Sequence, residues 1–516
     1  MSSTNPNIRD LLWALQEIRS GKLENLQNLS FYQSQSDPSS YLETESSMSI
    51  NISTDTDSVQ YLCQFLTLLS AQRERRRGLT NLAFHGVEWE LMQLQSLSSL
   101  LDNNLSIKQL EFQRNMFGTE GLFELSEMLG KNTGIRVAIF SECQIESIGA
   151  KLLASALTRN ETLEELQLWE DSISTRGAED LSRMIEVNST LKLLSLFDKN
   201  YITATPIISA ILARNRATEV HIWSNSKDSS NRSSKVVEFI PETCTLRIFK
   251  LNSSGCGRVA CALGYNTTVK TLDMTGIRLN SKWAKEFRGV LEQNKSLIDV
   301  ILSRTCLEDK AVVYVAAGLF KNKHLENLQL DANWFGGTGV EHLLCPLSRF
   351  SVFQTQANTT LRSLTFGGGK TKIGRDGVVA IMRMLETNQT IVRLGICEDT
   401  SMKPDDIIKI FRSLRKNATL RYLSLKGCKG VDGELVLQTI LETLQVNPWI
   451  EEIDLCGTPL QIAGKTDGIY EQLGKNNSLI QEKDLLDGHL PMDMPACCRV
   501  FLCGQEFAGN NLKLPD

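Results

Sequence analysis

The chain has 516 residues, 41% of them hydrophobic and 22% charged, and a formal net charge of −5. That length exceeds one ordinary compact core, while the composition suits a chain that buries apolar surface and excludes a wholly disordered one. The charge supplies no drive toward nucleic acid or an anionic membrane, and no run approaches the roughly 18 apolar residues of a bilayer span.

In chain order, the start carries Asp10 and Glu17 inside its apolar stretch and has no small-residue cleavage site, so it does not read as a signal peptide. A helix is expected around Asn7–Arg19, then a triplet Leu26-Leu29-Phe31. The Ser/Thr-rich acidic run from Ser34 to Ser58 reads as a mobile surface loop. The basic residues Arg73 to Arg77 close a helix before Leu79, where cations complement the helix dipole.

From Leu79 a repeat dominates. The pattern L-x-x-L-x-L appears as Leu79-Leu82-Phe84, Ile107-Leu110-Phe112, Ile135-Ala138-Phe140, Leu163-Leu166-Leu168 and Leu191-Leu194-Leu196, each 28 residues after the last. The same spacing returns at Val269, Leu297 and Leu325, and looser copies start at Leu361, Ile391, Leu420 and Ile450. Asparagine stands three residues before these triplets, at 104, 132, 160, 188, 266, 294, 322, 358, 388, 417 and 447. Most belong to Asn-x-Ser/Thr sequences, which read as turn punctuation: asparagine tolerates the left-handed conformation that ends a helix. Position nine of the unit is often Asn, Cys or Thr (Asn115, Cys143, Thr305, Asn333, Cys428, Thr458), able to satisfy buried loop amides. Between triplets, Ile173, Gly177, Ala178, Leu181, Met184 and Ile185 keep one-face helical spacing. Met274 and Phe366, inside triplets, are expected core.

These features resemble the leucine-rich repeat of the ribonuclease-inhibitor class. The resemblance implies an α/β solenoid, a curved horseshoe with parallel strands on the concave face and helices on the convex face. The organisation expected is 1–60 as N-terminal helix and mobile cap region, 61–480 as a solenoid of about 14 units, and 481–516 as C-terminal cap. Two stretches depart from it. Residues 197–250 are irregular, with a Ser-rich insert from Ser224 to Ser234, and a second insert near Pro346–Ala357 stretches one unit to 36 residues. Both are expected to form projecting loops.

The residue just after each triplet should face solvent. In three neighbouring units it is Trp169, Phe197 and, with a one-residue slip, Trp223, beside Glu165, Gln167, Ser195 and His221. With parallel strands about 4.8 Å apart, these rings would form an aromatic stripe for a protein partner. The acidic group Glu164, Glu165, Glu170 and Asp171 reads as a solvated face, and no motif ties it to a histidine or nucleophile.

Near the end, an apolar strand meets Gly504-x4-Gly509, the spacing of a phosphate-binding loop, but Asn510 and Asn511 stand at the lysine and hydroxyl positions that such a loop needs. This degenerate loop is not expected to bind nucleotide. Repeats running into such a strand resemble the Roco family, which implies kinship with a plant Roco-related regulator of growth and tissue patterning. The thirteen cysteines show no Cys-x-x-Cys pair, which fits reduced thiols and no zinc-finger metal site. The expectation is a cytoplasmic, non-enzymatic protein-recognition scaffold without catalytic residue, metal, cofactor, nucleic-acid partner or transmembrane segment. The alternatives are a sensor arm of a Roco-type GTPase whose catalytic domain is absent or truncated, and an inhibitor-like or immune-sensor repeat protein.

Overall fold

A computed structural model describes residues 28–33, 47–52, 80–102, 104–169, 173–197, 206–208, 218–225, 233–241, 244–249, 253–348 and 357–486. The chain divides into two units, residues 1–272 and 273–516. The expected helix at Asn7–Arg19, the basic run Arg73–Arg77 and the segment from Gly504 to Asn511 lie outside the described residues.

In the first unit strand and helix alternate through β3 (Asn81–His85), α1 (Leu91–Leu101), β4 (Gln109–Gln113), α2 (Gly118–Lys131), β5 (Val137–Ser141), α3 (Ser147–Leu157), β6 (Glu165–Trp169), α4 (Thr175–Val187) and β7 (Leu193–Phe197). Each strand is the centre of a predicted triplet, and neighbours pair parallel in matched register: Leu82 faces Leu110, Leu110 faces Ala138, and Ala138 faces Leu166. Alternate strand residues point inward, where Phe84, Phe112 and Phe140 stack with centroids 5.4 and 5.5 Å apart. The helices bury one face each; α4 does so with Gly177, Ala178, Leu181, Met184 and Ile185, as its spacing predicts. This strand–helix repetition is the leucine-rich-repeat solenoid.

The N-terminal reading is corrected in part. Ser47–Ile52, within the run expected to be mobile, is strand β2, parallel to β1 (Asn28–Gln33), which in turn pairs parallel with β3. β1 holds Leu29 and Phe31 of the early triplet, so the sheet begins before Leu79.

The irregular stretch is also corrected. Ser224 to Ser234 does not project as a simple loop. β8 (Glu219–Asn225) continues the parallel order beside β7, then β9 (Ser233–Ile240) returns antiparallel to it, and β10 (Thr245–Ile248) runs antiparallel to β9. The insert's two ends are thus strand, and helix α5 (Ser253–Tyr265) follows. The alternation Val220-x-Ile222 and Val237-x-Phe239 buries the inward side chains of this hairpin.

The second unit repeats the same construction. After β11 (Thr271–Asp273), in which the first unit ends, its elements run through α6 (Ser281–Gln293), β12 (Asp299–Ile301), α7 (Asp309–Lys321), β13 (Asn327–Asp331), α8 (Gly337–Leu344), β14 (Ser363–Gly367), α9 (Gly374–Thr387), β15 (Arg393–Cys397), α10 (Pro404–Leu414), β16 (Tyr422–Ser424), α11 (Glu434–Val446), β17 (Glu452–Asp454) and α12 (Pro459–Ile462) to α13 (Asp467–Leu486). Local chemistry sets the helix ends. Asn280 caps α6 by accepting from the Trp283 amide at 2.9 Å, and α10 starts on Pro404 with Asp405 and Asp406 in its first turn. The second insert leaves the register intact: Asn327 faces Ser363 across 36 residues of sequence. Its beginning packs inward, with Pro346 and Leu347 buried in a short 3-10 turn, and residues 349–356 lie outside the described ones.

The repeated asparagines work differently from the expectation. Asn132, Asn188, Asn322 and Asn388 have φ near −65 to −78° and extended ψ, so none supplies a left-handed turn. Their buried side chains do the work instead. Asn160 Nδ2 donates to Leu129 O at 2.6 Å and Asn132 O at 3.1 Å, while its Oδ1 accepts from the amides of Thr162 and Leu163 at 2.8 and 2.6 Å. Asn447 Nδ2 likewise bonds Leu414 O and Asn417 O, both at 2.7 Å. Each asparagine joins its own strand entry to the helix end of the previous repeat, satisfying backbone groups shut away from water. The left-handed residue is the one just before position nine of the unit: Arg114 (φ 55°), Glu142 (53°), Arg304 (58°) and Ala332 (56°), with glycine at Gly86, Gly276, Gly427 and Gly457. The position-nine expectation holds. Asn115 bonds Phe84 O, Gln113 O and the Trp89 indole N–H, and the Cys143 and Cys428 thiols donate to Phe112 O and Ile396 O.

Candidate functional site

The candidate surface is the outward side of strands β3 to β8. Because side chains alternate, the residues facing out of β6 are Glu165, Gln167 and Trp169, each half-buried, while Leu166 and Leu168 fill the core. Three of the proposed site residues form one chain of hydrogen bonds along this strand. The Trp169 indole donates to Gln167 Oε1 at 2.6 Å, and the Gln167 amide donates to the Glu165 carboxylate. These bonds fix the ring and the amide before any partner arrives.

Phe197 corrects the expected stripe. It follows its triplet as Trp169 does, yet it is only 1% exposed, and Ser195 is buried with it. β7 reads Leu-Leu-Ser-Leu-Phe, a nearly continuous apolar run, and such runs belong to strands covered on both sides. Position after the triplet fixes the side from which Phe197 leaves the strand, and says nothing of what lies over that side. The backbone of Trp223 stands opposite Phe197 in register, at a point where the β8–β9 pairing is irregular; its side chain lies outside the described residues. His221 is half-buried, with Nε2 2.7 Å from Glu219 Oε1 and 3.7 Å from Glu238 Oε1, and Glu238 is held by Arg247 at 3.2 Å.

Two properties of this face escape a triplet-based reading. Val137, Ile139 and Leu193 sit outward and half-buried beside the Trp169 row. Strands β3 to β8 also contain no lysine or arginine, while Glu111, Glu165 and Glu219 occupy outward positions. The signal was present as apolar residues at the second and fourth places after the triplet's first residue, where a solvated face carries polar ones.

Outside the strands, Glu164 is an ordinary solvated carboxylate. Lys192 lies 2.6 Å and Arg136 3.6 Å away, and the hydrogen bond from Lys192 lowers its pKa. Glu170 and Asp171 are outside the described residues. Burial raises the Cys256 and Cys397 thiols to about 11 and Cys428 to about 12, which leaves little thiolate near neutrality. No disulfide joins the described cysteines, and no three His, Cys, Asp or Glu among the described residues are arranged to hold a metal ion. No helix among the described residues is long and apolar enough to cross a membrane.

Comparison with known proteins places this architecture. The chain is 59% identical over 512 residues to Protein TORNADO 1 of Arabidopsis thaliana, covering 98% of this chain and 37% of that protein. It is 26% identical over 167 residues to the ribonuclease inhibitor of Sus scrofa, covering 32% of this chain and 34% of the inhibitor. Among solved structures, the yeast Rad7–Elc1 complex aligns with 72% of the chain at 13% identity and a TM-score of 0.29. No protein-family profile matches the chain. The chain thus spans little more than a third of the curated relatives named here. With the triplet spacing, the parallel register and the asparagine ladder already in place, the fold is a leucine-rich-repeat solenoid, and the chain is similar to Tornado 1 along 98% of its length and to the ribonuclease inhibitor along 32% of it.

Proposed function

We propose that the chain is a non-enzymatic protein-recognition scaffold that binds its partner on the outward face of strands β3 to β8, in the growth and tissue-patterning role that its resemblance to Tornado 1 implies. The observation that carries this reading is the mixed surface around Trp169. An ordered indole stands with Val137, Ile139 and Leu193 among outward carboxylates, on strands that bear no cation. Half-exposed aromatic and aliphatic groups supply interface energy, and the carboxylates favour a partner that presents lysine or arginine around an apolar centre. The scaffold is proposed to act in the cytosol, where its scattered thiols stay reduced. The buried amides of Asn160, Asn188 and Asn358 are engaged in repeat-to-repeat bonds, so their sequons serve the fold.

The test is affinity capture from native cytosol with the wild type and the variants Trp169→Ala and Ile139→Ser, their folding checked by circular dichroism. The reading expects partners that the wild type retains and both variants lose, with retention falling as salt rises. An identical set of captured proteins from folded variants overturns it.

A further inference from the structure

In the second unit, the loops that lead from strand to helix in three successive repeats enclose a cavity of about 380 Å3. Its wall holds Arg278, Ser281, Cys306, Glu308, Lys310 and Trp334. Trp334 is the centre of this arrangement. The Arg278 guanidinium carbon, from two repeats earlier, lies 5.6 Å from its ring centroid, and Lys370 Nζ, from the next repeat, lies 4.2 Å from it. Arg278, Cys306 and Trp334 occupy the same place in their units, one residue beyond position nine. Cys306, the shorter side chain, stands between the other two in repeat order.

The charges here are not compensated. Arg278, Lys310 and Lys370 have no carboxylate within salt-bridge distance among the described residues, whereas Arg288 and Lys321 on the neighbouring helices both pair with Glu292. Glu308 is the carboxylate on the cavity wall, and the adjacent Asp309 is engaged by the amides of Gly336 and Gly339 at 2.7 and 3.0 Å. Two cations, Arg278 and Lys310, therefore share the cavity wall with one carboxylate, and a third, Lys370, lies over the indole that closes it.

We propose that this cavity binds a phosphorylated protein side chain, phosphotyrosine above the aliphatic phosphoesters. A phosphate dianion matches the unpaired guanidinium and ammonium groups, and arginine gives it two parallel hydrogen bonds. The indole of Trp334 offers the ester's aromatic stem an apolar contact, and the volume lies at the small end of ligand cavities, in the range of a side chain. The site is separate from the strand face of the first unit and does not depend on it.

The test is calorimetric titration of the full chain with N-acetyl-phosphotyrosine amide, N-acetyl-tyrosine amide and inorganic phosphate. The phosphotyrosine probe is expected to bind at least about tenfold more tightly than either other probe. Arg278→Gln is expected to weaken it about tenfold, as loss of a charge-assisted bond does, and Lys285→Gln, on the exposed side of α6, to leave it unchanged. Arg278 and Lys285 are exposed, so both variants keep the fold, which a thermal melt verifies. Absence of binding, or binding equal in wild type and Arg278→Gln, overturns the site. Inorganic phosphate binding as tightly as the phosphotyrosine probe overturns the assignment to a protein side chain.

Discussion

Strands β6 and β7 are neighbours with the same triplet, the same 28-residue spacing and an aromatic ring in the same place, yet they expose different surfaces. β6 alternates: Glu165, Gln167 and Trp169 face out and Leu166 and Leu168 face in. β7 is buried from Leu194 to Phe197. The difference lies in the residues between the triplet's leucines. Polar ones leave a strand open on one side, and an apolar run marks one that is covered on both. Periodicity assigns a side chain to a side of the sheet; the chemistry of the remaining positions tells whether that side meets water.

The sharpest way to break this comparison is to truncate the two rings. Phe197→Ala should cost about 3–5 kcal/mol, the range for removing a fully buried aromatic ring, whereas Trp169→Ala should cost about 1–2 kcal/mol. Denaturant unfolding of each variant measures both. Equal losses would mean that the two positions share one environment.

Next in size is the asparagine ladder. Asn160→Ala leaves the carbonyl of Leu129 and the amides of Thr162 and Leu163 without their partner, and should cost about 3 kcal/mol. Asn104, half-buried, accepts from the amides of Ser106 and Ile107 at 2.9 and 3.0 Å, and Asn104→Ala should cost about half as much. If both substitutions were silent, the triplets alone would hold the repeats together.

A smaller, stabilising effect is expected after β13. Ala332 sits at φ 56°, where most sister repeats carry either glycine or a long polar residue. Ala332→Gly should raise stability by up to about 1 kcal/mol, because the left-handed conformation costs an L-residue about that much while glycine gives part of it back as chain entropy. A fall in stability on this substitution would show that the methyl group packs.

The smallest effect concerns pH. Burial raises the Asp331 carboxyl above the usual carboxylate value, and the hydrogen bond from Thr365 at 2.6 Å only partly opposes this. The folded state therefore holds this proton more tightly than the unfolded chain. The contribution is favourable at low pH and is lost as pH rises from the ordinary aspartate value through the raised one. Asp331→Asn should flatten that part of the stability–pH curve and be more stable than wild type above it. A steeper curve in the variant would reverse the sign of the account.

Much of this molecule was legible in its residues. Twenty-eight-residue spacing located the strands from Leu82 to Leu196 and from Leu272 to Leu330, and Asn115, Cys143 and Thr305 showed where loop amides needed partners. The role of the repeated asparagines was not legible, because a side-chain bond to a carbonyl about 31 residues away leaves no local mark. The β8–β9 hairpin hid behind serine-rich composition, which suggests a loop although Val237 and Phe239 alternate as a strand should. For the candidate site, Trp169, Gln167 and Glu165 were found from position alone. Val137, Ile139 and Leu193 were passed over because an apolar residue within a repeat is ordinarily core.

The most direct test of the recognition account is site-specific photo-crosslinking in native cytosol, with a photoreactive amino acid at position 139 on the strand face or at position 92 on helix α1, where Met92 is 73% exposed. The account predicts that a partner protein crosslinks from position 139 and that Trp169→Ala abolishes the product, with none from position 92. Crosslinking from position 92 alone would contradict it.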